Sequence, residues 1–227
     1  MKNNPEIMIE YRRLSTPRTA AVAGILFGLL FGASLILMRS AIPAVISTDI
    51  SWATTNAWRI NAALVLMPLA SIAYLWFIGV VRDKLGEFED KFFSTVFFGS
   101  SLLFLAMVFV STAIAGGILT TYTMVTGETP DYLVIIFGRA LMLHISNVYA
   151  LRMAGVTMIS LGTIWLRTGL MPRWLAWVTY ILAVALLVVI NYSPWITLIF
   201  PAWVLLISLF ILWFRLQHPD ERILPSV

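Results

Sequence analysis

The chain has 227 residues, of which 60% are hydrophobic and 11% charged, and its mean hydropathy is +0.92. A water-soluble domain of this size carries about a quarter charged residues and under half apolar ones, so the excess apolar surface here needs lipid as its solvent. The net charge of +4 is not a nucleic-acid signal, because the basic residues sit mostly at the ends of apolar runs, and the absence of cysteine excludes disulfides, thiolate nucleophiles and iron–sulfur ligation.

In chain order, Lys2, Arg12, Arg13 and Arg18 precede the first apolar run, 19–38. That run is too long for a signal peptide and no small-residue cleavage site follows, so it reads as a retained first span. A crossing helix needs about 20 mainly apolar residues. By that measure the further spans fall at 60–81, 92–117, 147–166, 174–190 and 194–214. The outer segments are 41–58 and 121–146, both apolar enough to form a small extracytoplasmic cap.

The fourth element is the awkward one. Tyr132 to Leu166 is apolar but interrupted by Arg139, His144, Asn147 and Arg152. As one helix it would reach about 52 Å, well beyond the hydrocarbon thickness. Its inner end is marked by Arg167 and Arg173, and counting back places the span at 147–166. Residues 131–146 are then an outer extension, an interfacial helix or a re-entrant piece, with an extension or cap preferred. Arg152 would lie about 7 Å inside the outer boundary, where its side chain can snorkel to a loop acid, a backbone carbonyl, a lipid phosphate or another subunit.

The basic residues set the orientation. Lys2, Arg12, Arg13, Arg18, Arg82, Lys84, Lys91, Arg167, Arg173, Arg215 and Arg222 fall on one side, and only Arg39 and Arg59 are clearly on the other. This bias predicts an all-α bundle of about six spans with both termini cytoplasmic, in the cell membrane.

Two patterns carry functional expectations. Gly24, Gly28 and Gly32 are spaced by four, giving the first span a smooth face where another backbone can approach closely. That face serves either packing inside the bundle, the reading preferred here, or docking of a partner chain or pigment. Arg139, His144, Asn147 and Arg152 form a candidate polar site. His144 and Asn147 stand about 60° apart on a helical wheel and can share one spot. With only one other histidine, His218, paired haem or metal ligation has no basis. None of the eleven acidic residues falls inside an expected span, which argues against cation-coupled transport. Gly32-Ala33-Ser34 is similar to the serine segment of rhomboid-like proteases, but Leu35 stands where a glycine is needed.

The stretch Trp76 to Gly86, with Phe92-Phe93 and Gly99, and the turn Arg167 to Ala176 resemble segments of small bacterial multipass membrane proteins of about six helices. That class has no assigned activity, so the resemblance implies a fold and transfers no functional residue. The expectation is therefore a non-enzymatic membrane protein without a cofactor, foremost an accessory or scaffold subunit of a larger assembly. The alternative is a carrier or binding protein for a lipid or small anion, and an intramembrane enzyme comes last. Its expected partners are membrane lipids and other membrane subunits or copies of itself, not nucleic acid.

Overall fold

A computed structural model of the chain describes residues 5–42, 55–85, 91–124, 132–188 and 194–217. All regular structure among the described residues is helical. The elements are α1 (Pro5–Ala41), α2 (Ala57–Leu85), α3 (Lys91–Met124), α4 (Tyr132–His144), a π-helical turn (Ile145–Ala150), α5 (Leu151–Thr168), α6 (Arg173–Val188), a 3₁₀ turn (Pro194–Leu198) and α7 (Ile199–Gln217). The chain is a multi-pass membrane protein built as a helical bundle. Among the described residues, five stretches are long and apolar enough to cross a bilayer: Thr19–Ala41, Ala57–Asp83, Phe92–Thr121, Tyr132–Thr168 and Trp195–Phe214.

The expected span 174–190 falls on α6, whose 16 described residues reach about 24 Å, so it is not among those five. The tips of the expected cap, 43–54 and 125–131, lie outside the described residues. Residues 132–146 form no separate piece: α4, the π turn and α5 run on as one rod of 37 residues.

Neighbours round the bundle run α1, α2, α3, α5, α6 and α7, with α7 returning to α1. The seam between α6 and α7 is closed by side chains, where Trp203 Nε1 donates to Thr179 Oγ1 at 2.9 Å and Trp174 meets Phe210 edge-on. The centre is aromatic: Phe27 and Phe31 of α1, Tyr74 of α2, Phe104 of α3 and Phe200 of α7 are in ring contact.

Lipid supplies no hydrophobic drive between helices, so close backbone approach and polar contacts hold such a bundle together. Both are present. A Cβ built on Gly24 would lie 2.0 Å from Ser208 Oγ, and one on Gly28 would lie 2.8 Å from Leu205 Cβ and 3.1 Å from the Pro201 carbonyl. The glycine face of α1 is thus filled by α7 of the same chain. Gly32 meets nothing within 4 Å and takes no part. On α5, Gly155 receives α6 in the same way, close to Leu187 and the Ala183 carbonyl.

Hydroxyls supply the rest. Ser34 Oγ donates to the Ala63 carbonyl at 2.9 Å, tying α1 to α2. Tyr74 donates to Ser101 at 3.2 Å, and Ser100 and Thr157 pair at 2.9 Å, joining α2, α3 and α5. The rod ends where Gly169, at φ 68°, returns its N–H to the Trp165 carbonyl in a left-handed cap, a conformation that favours glycine. One end of the bundle is marked by cations lying over aromatic faces, Arg82 on Phe98 at 4.3 Å and Arg167 on Phe93 at 4.8 Å.

Candidate functional site

Near the opposite end of the bundle lies a cavity of about 430 Å³, walled by α1, α2, α3, the α4–α5 rod and the 3₁₀ turn before α7. Its size falls in the range of small-molecule sites. α1 contributes Phe31, Leu35, Met38 and Arg39, with Ile42 just past its end, and α3 contributes Phe104, Val108, Ser111 and Thr112. The rod contributes Arg139, Met142, Ser146, Asn147 and Leu151 among others.

The polar groups gather at one end. Arg139 projects from α4 and is only 6% exposed. One turn on, the Met142 carbonyl accepts from Ser111 Oγ at 3.0 Å, which pins α4 to α3 at this level. Arg39, in the last turn of α1, is half-buried and donates through Nη2 to the side-chain oxygen of Asn147. Ser146 Oγ donates to the same oxygen at 3.3 Å. Arg39 and Arg139 therefore both line the cavity, and among the described residues no acidic one does. Two arginines facing one space favour an anion over a cation there.

The π turn explains who reaches the cavity. A π helix winds more slowly than the 100° per residue of an α-helix, so it shifts the phase of everything after it. Asn147 and Ser146 face inward, while His144 is exposed, with its ring set edge-on to Tyr149 at 6.3 Å. Arg152 is half-buried and its Nη1 lies 3.5 Å from the Val148 carbonyl, one turn back on its own helix. Of the four residues grouped from the sequence, the fold brings together Arg139 and Asn147 and turns His144 and Arg152 elsewhere. The wheel that paired His144 with Asn147 assumed regular α geometry, and the π turn breaks that assumption.

Arg39 is the member that sequence reasoning placed outside the site. It looked like a charged stop at the end of a span, which is how most arginines there behave. The available signal was its lone position among aliphatic and small residues facing a second unpaired-looking polar segment, and spacing alone does not connect 39 to 147. Ser34 has no freedom to act as a nucleophile, since its hydroxyl is buried and directed at the Ala63 carbonyl.

Counting along the helices sets the level of the site. From the basic residues Arg18, Lys91 and Arg167, about 20 residues, or 30 Å, reach the far edge of the hydrocarbon core. Those counts end at Met38, Ser111 and Asn147, all three in the cavity wall. On α2 the count from Arg82 ends at Ala62, beside the Ala63 carbonyl that holds Ser34. The polar end of the cavity thus lies at headgroup level and the rest within the hydrocarbon layer. No family model, no curated protein and no solved structure matches this chain.

Proposed function

We propose that this chain is a non-enzymatic binding protein or carrier for an anion, either a lipid or a small anion, held in the cavity by Arg39 and Arg139. The observation that carries the reading is that Arg39 and Arg139 line one cavity, with no acidic side chain among its described lining residues. A bound oxyanion there takes charge-assisted hydrogen bonds, bidentate where the geometry allows, from the guanidiniums. We place the protein in the cell membrane of a bacterium, with both termini cytoplasmic, on the basic-residue bias and the resemblance above.

The accessory-subunit reading drew on the glycine face of α1, on the arginines of the fourth element and on the lack of a catalytic constellation. Gly24 and Gly28 are occupied by the protein's own α7, which removes the first of these supports. The two readings separate on purification in a mild neutral detergent followed by solvent extraction and mass spectrometry. An anionic amphiphile or anion retained by the wild type and lost from Arg39→Gln/Arg139→Gln supports the binding protein. A stoichiometric partner protein, with no anion retained by either form, favours the accessory subunit instead.

A further inference from the structure

The two halves of the α4–α5 rod are held unequally. Of the 18 residues of α5, ten are buried, from Leu151 to Trp165. Of the 13 in α4 only Ile135, Arg139 and Met142 are, at a spacing that puts them on one face. Between the halves, the π turn buries Ala150 alone. Sparse burial marks the parts of a structure that open at low cost, so α5 is the fixed half and α4 the half that can move.

The π winding itself is rare in proteins and occurs mostly as single turns, often at functional sites. Nothing local calls for it here. Ile145 to Ala150 include no glycine or proline. The backbone on either side is regular α-helix, with His144 at φ −66°, ψ −45° and Leu151 at φ −62°, ψ −37°. The hold comes from across the bundle. Arg39 of α1 donates to the Asn147 side chain within the turn, and Ser146 Oγ reaches the same oxygen at 3.3 Å.

We infer that Arg39 and Asn147 form a latch on a gate, the gate being α4, which closes the outer end of the cavity with Arg139, Met142 and Leu143. The inference goes beyond the anion reading and stands without it. With the latch undone, the turn rewinds as α-helix. A π turn takes up one extra residue, so rewinding rotates α4 by about 100° against α5. The right-handed coil fixes the sense. The face of Ile135, Arg139 and Met142 swings to where the exposed Val134 and Leu141 lie now, and the exposed Ala140 swings inward. The Ser111 bond to the Met142 carbonyl is given up, and the wall opens to the outer side. An occupant gripping both arginines would tie α4 to α1 in place of the amide, so the latch matters while the cavity is empty.

The chain has no cysteine, so single cysteines can report the rotation. Counted outward from Asn147, Ala140 and Ile135 lie about 10 and 18 Å beyond the hydrocarbon edge, within reach of a membrane-impermeant maleimide. Labelling rates are read on the full-length protein in neutral lipid nanodiscs. With the latch intact, Ala140→Cys labels fast and Ile135→Cys slowly. Asn147→Leu should reverse this, speeding Ile135→Cys and slowing Ala140→Cys, each at least about tenfold. Arg39→Leu removes the other end of the latch and should do the same. Asn147→Asp keeps an acceptor for Arg39 and should keep the wild-type pattern. Asn147→Ala carries the expectation of Asn147→Leu where a leucine variant fails to fold. Ile135→Cys that stays protected in a folded variant without the latch overturns the inference. Fast labelling at both positions also overturns it, because α4 then unravels instead of turning, and so does reversal in Asn147→Asp.

Discussion

Asn147 accepts from Arg39 through a neutral amide oxygen, without the second charge and the bidentate geometry that a carboxylate or phosphate offers. An oxyanion entering the cavity therefore displaces the amide from the guanidinium. Asn147→Asp would build a competing carboxylate into the same place, and oxyanion affinity should fall about tenfold while the protein folds normally. Tighter phosphate binding by Asn147→Asp in an equilibrium assay would show that Arg39 is not a ligand-binding group. The glycines divide just as sharply. A side chain on Gly28 must push against Leu205 Cβ and the Pro201 carbonyl, and backbone cannot swing aside. Gly28→Leu should cost on the order of 1–3 kcal/mol or more through overpacking, read as a lowered Tm in detergent. Gly32→Ala, with open space around it, and Leu30→Ile, conservative in volume, should leave Tm unchanged. An equal effect at Gly28 and Gly32 would mean that α1 does not pack on α7 through this face.

At the scale of the element, the π turn governs the site. It lies between Arg139 on α4 and the well-packed α5, so it sets the angle at which α4 presents its arginine. Inserting one alanine after Leu141, in the regular helix between Arg139 and the π turn, should rotate Arg139 by about 100° relative to α5. The expected result is a protein of normal size in detergent whose phosphate binding is lost; retained binding would mean that the direction in which α4 presents Arg139 does not matter. This element also shows what the sequence could and could not reveal. The positions of the long helices were legible because apolar runs bounded by Arg18, Arg82, Lys91 and Arg167 leave few other ways to satisfy backbone groups in lipid. The Gly24–Gly28 face was legible as a close contact, but not its partner, since spacing says that something approaches and not what. Arg139 and Asn147 stood out as costly polar residues in an apolar segment. The π turn left no mark in Ile145 to Ala150, whose residues suit a regular helix, so the phase change and the exclusion of His144 could not be read. Arg39 joined the site through a contact across 108 positions, which no local pattern encodes.

At the scale of the whole molecule, the site has a level and a side. Arg82 and Arg167 lie over phenylalanines at one end, and the polar mouth of the cavity lies a bilayer thickness away. With no native cysteine to interfere, Ser40→Cys, next to Arg39, should react with a membrane-impermeant maleimide on intact cells. Asp83→Cys should react only after permeabilisation, and the reverse pattern would invert the orientation. The claim on which the rest depends is that the cavity holds an anion by its arginines. The most direct measurement is equilibrium binding of radiolabelled phosphate to the purified full-length protein in neutral lipid nanodiscs, wild type beside Arg139→Gln. Saturable binding at one site is expected, weakened at least about tenfold by the substitution, because one of two charged ligand groups is gone. Equal binding by Arg139→Gln, or none by the wild type, would contradict it.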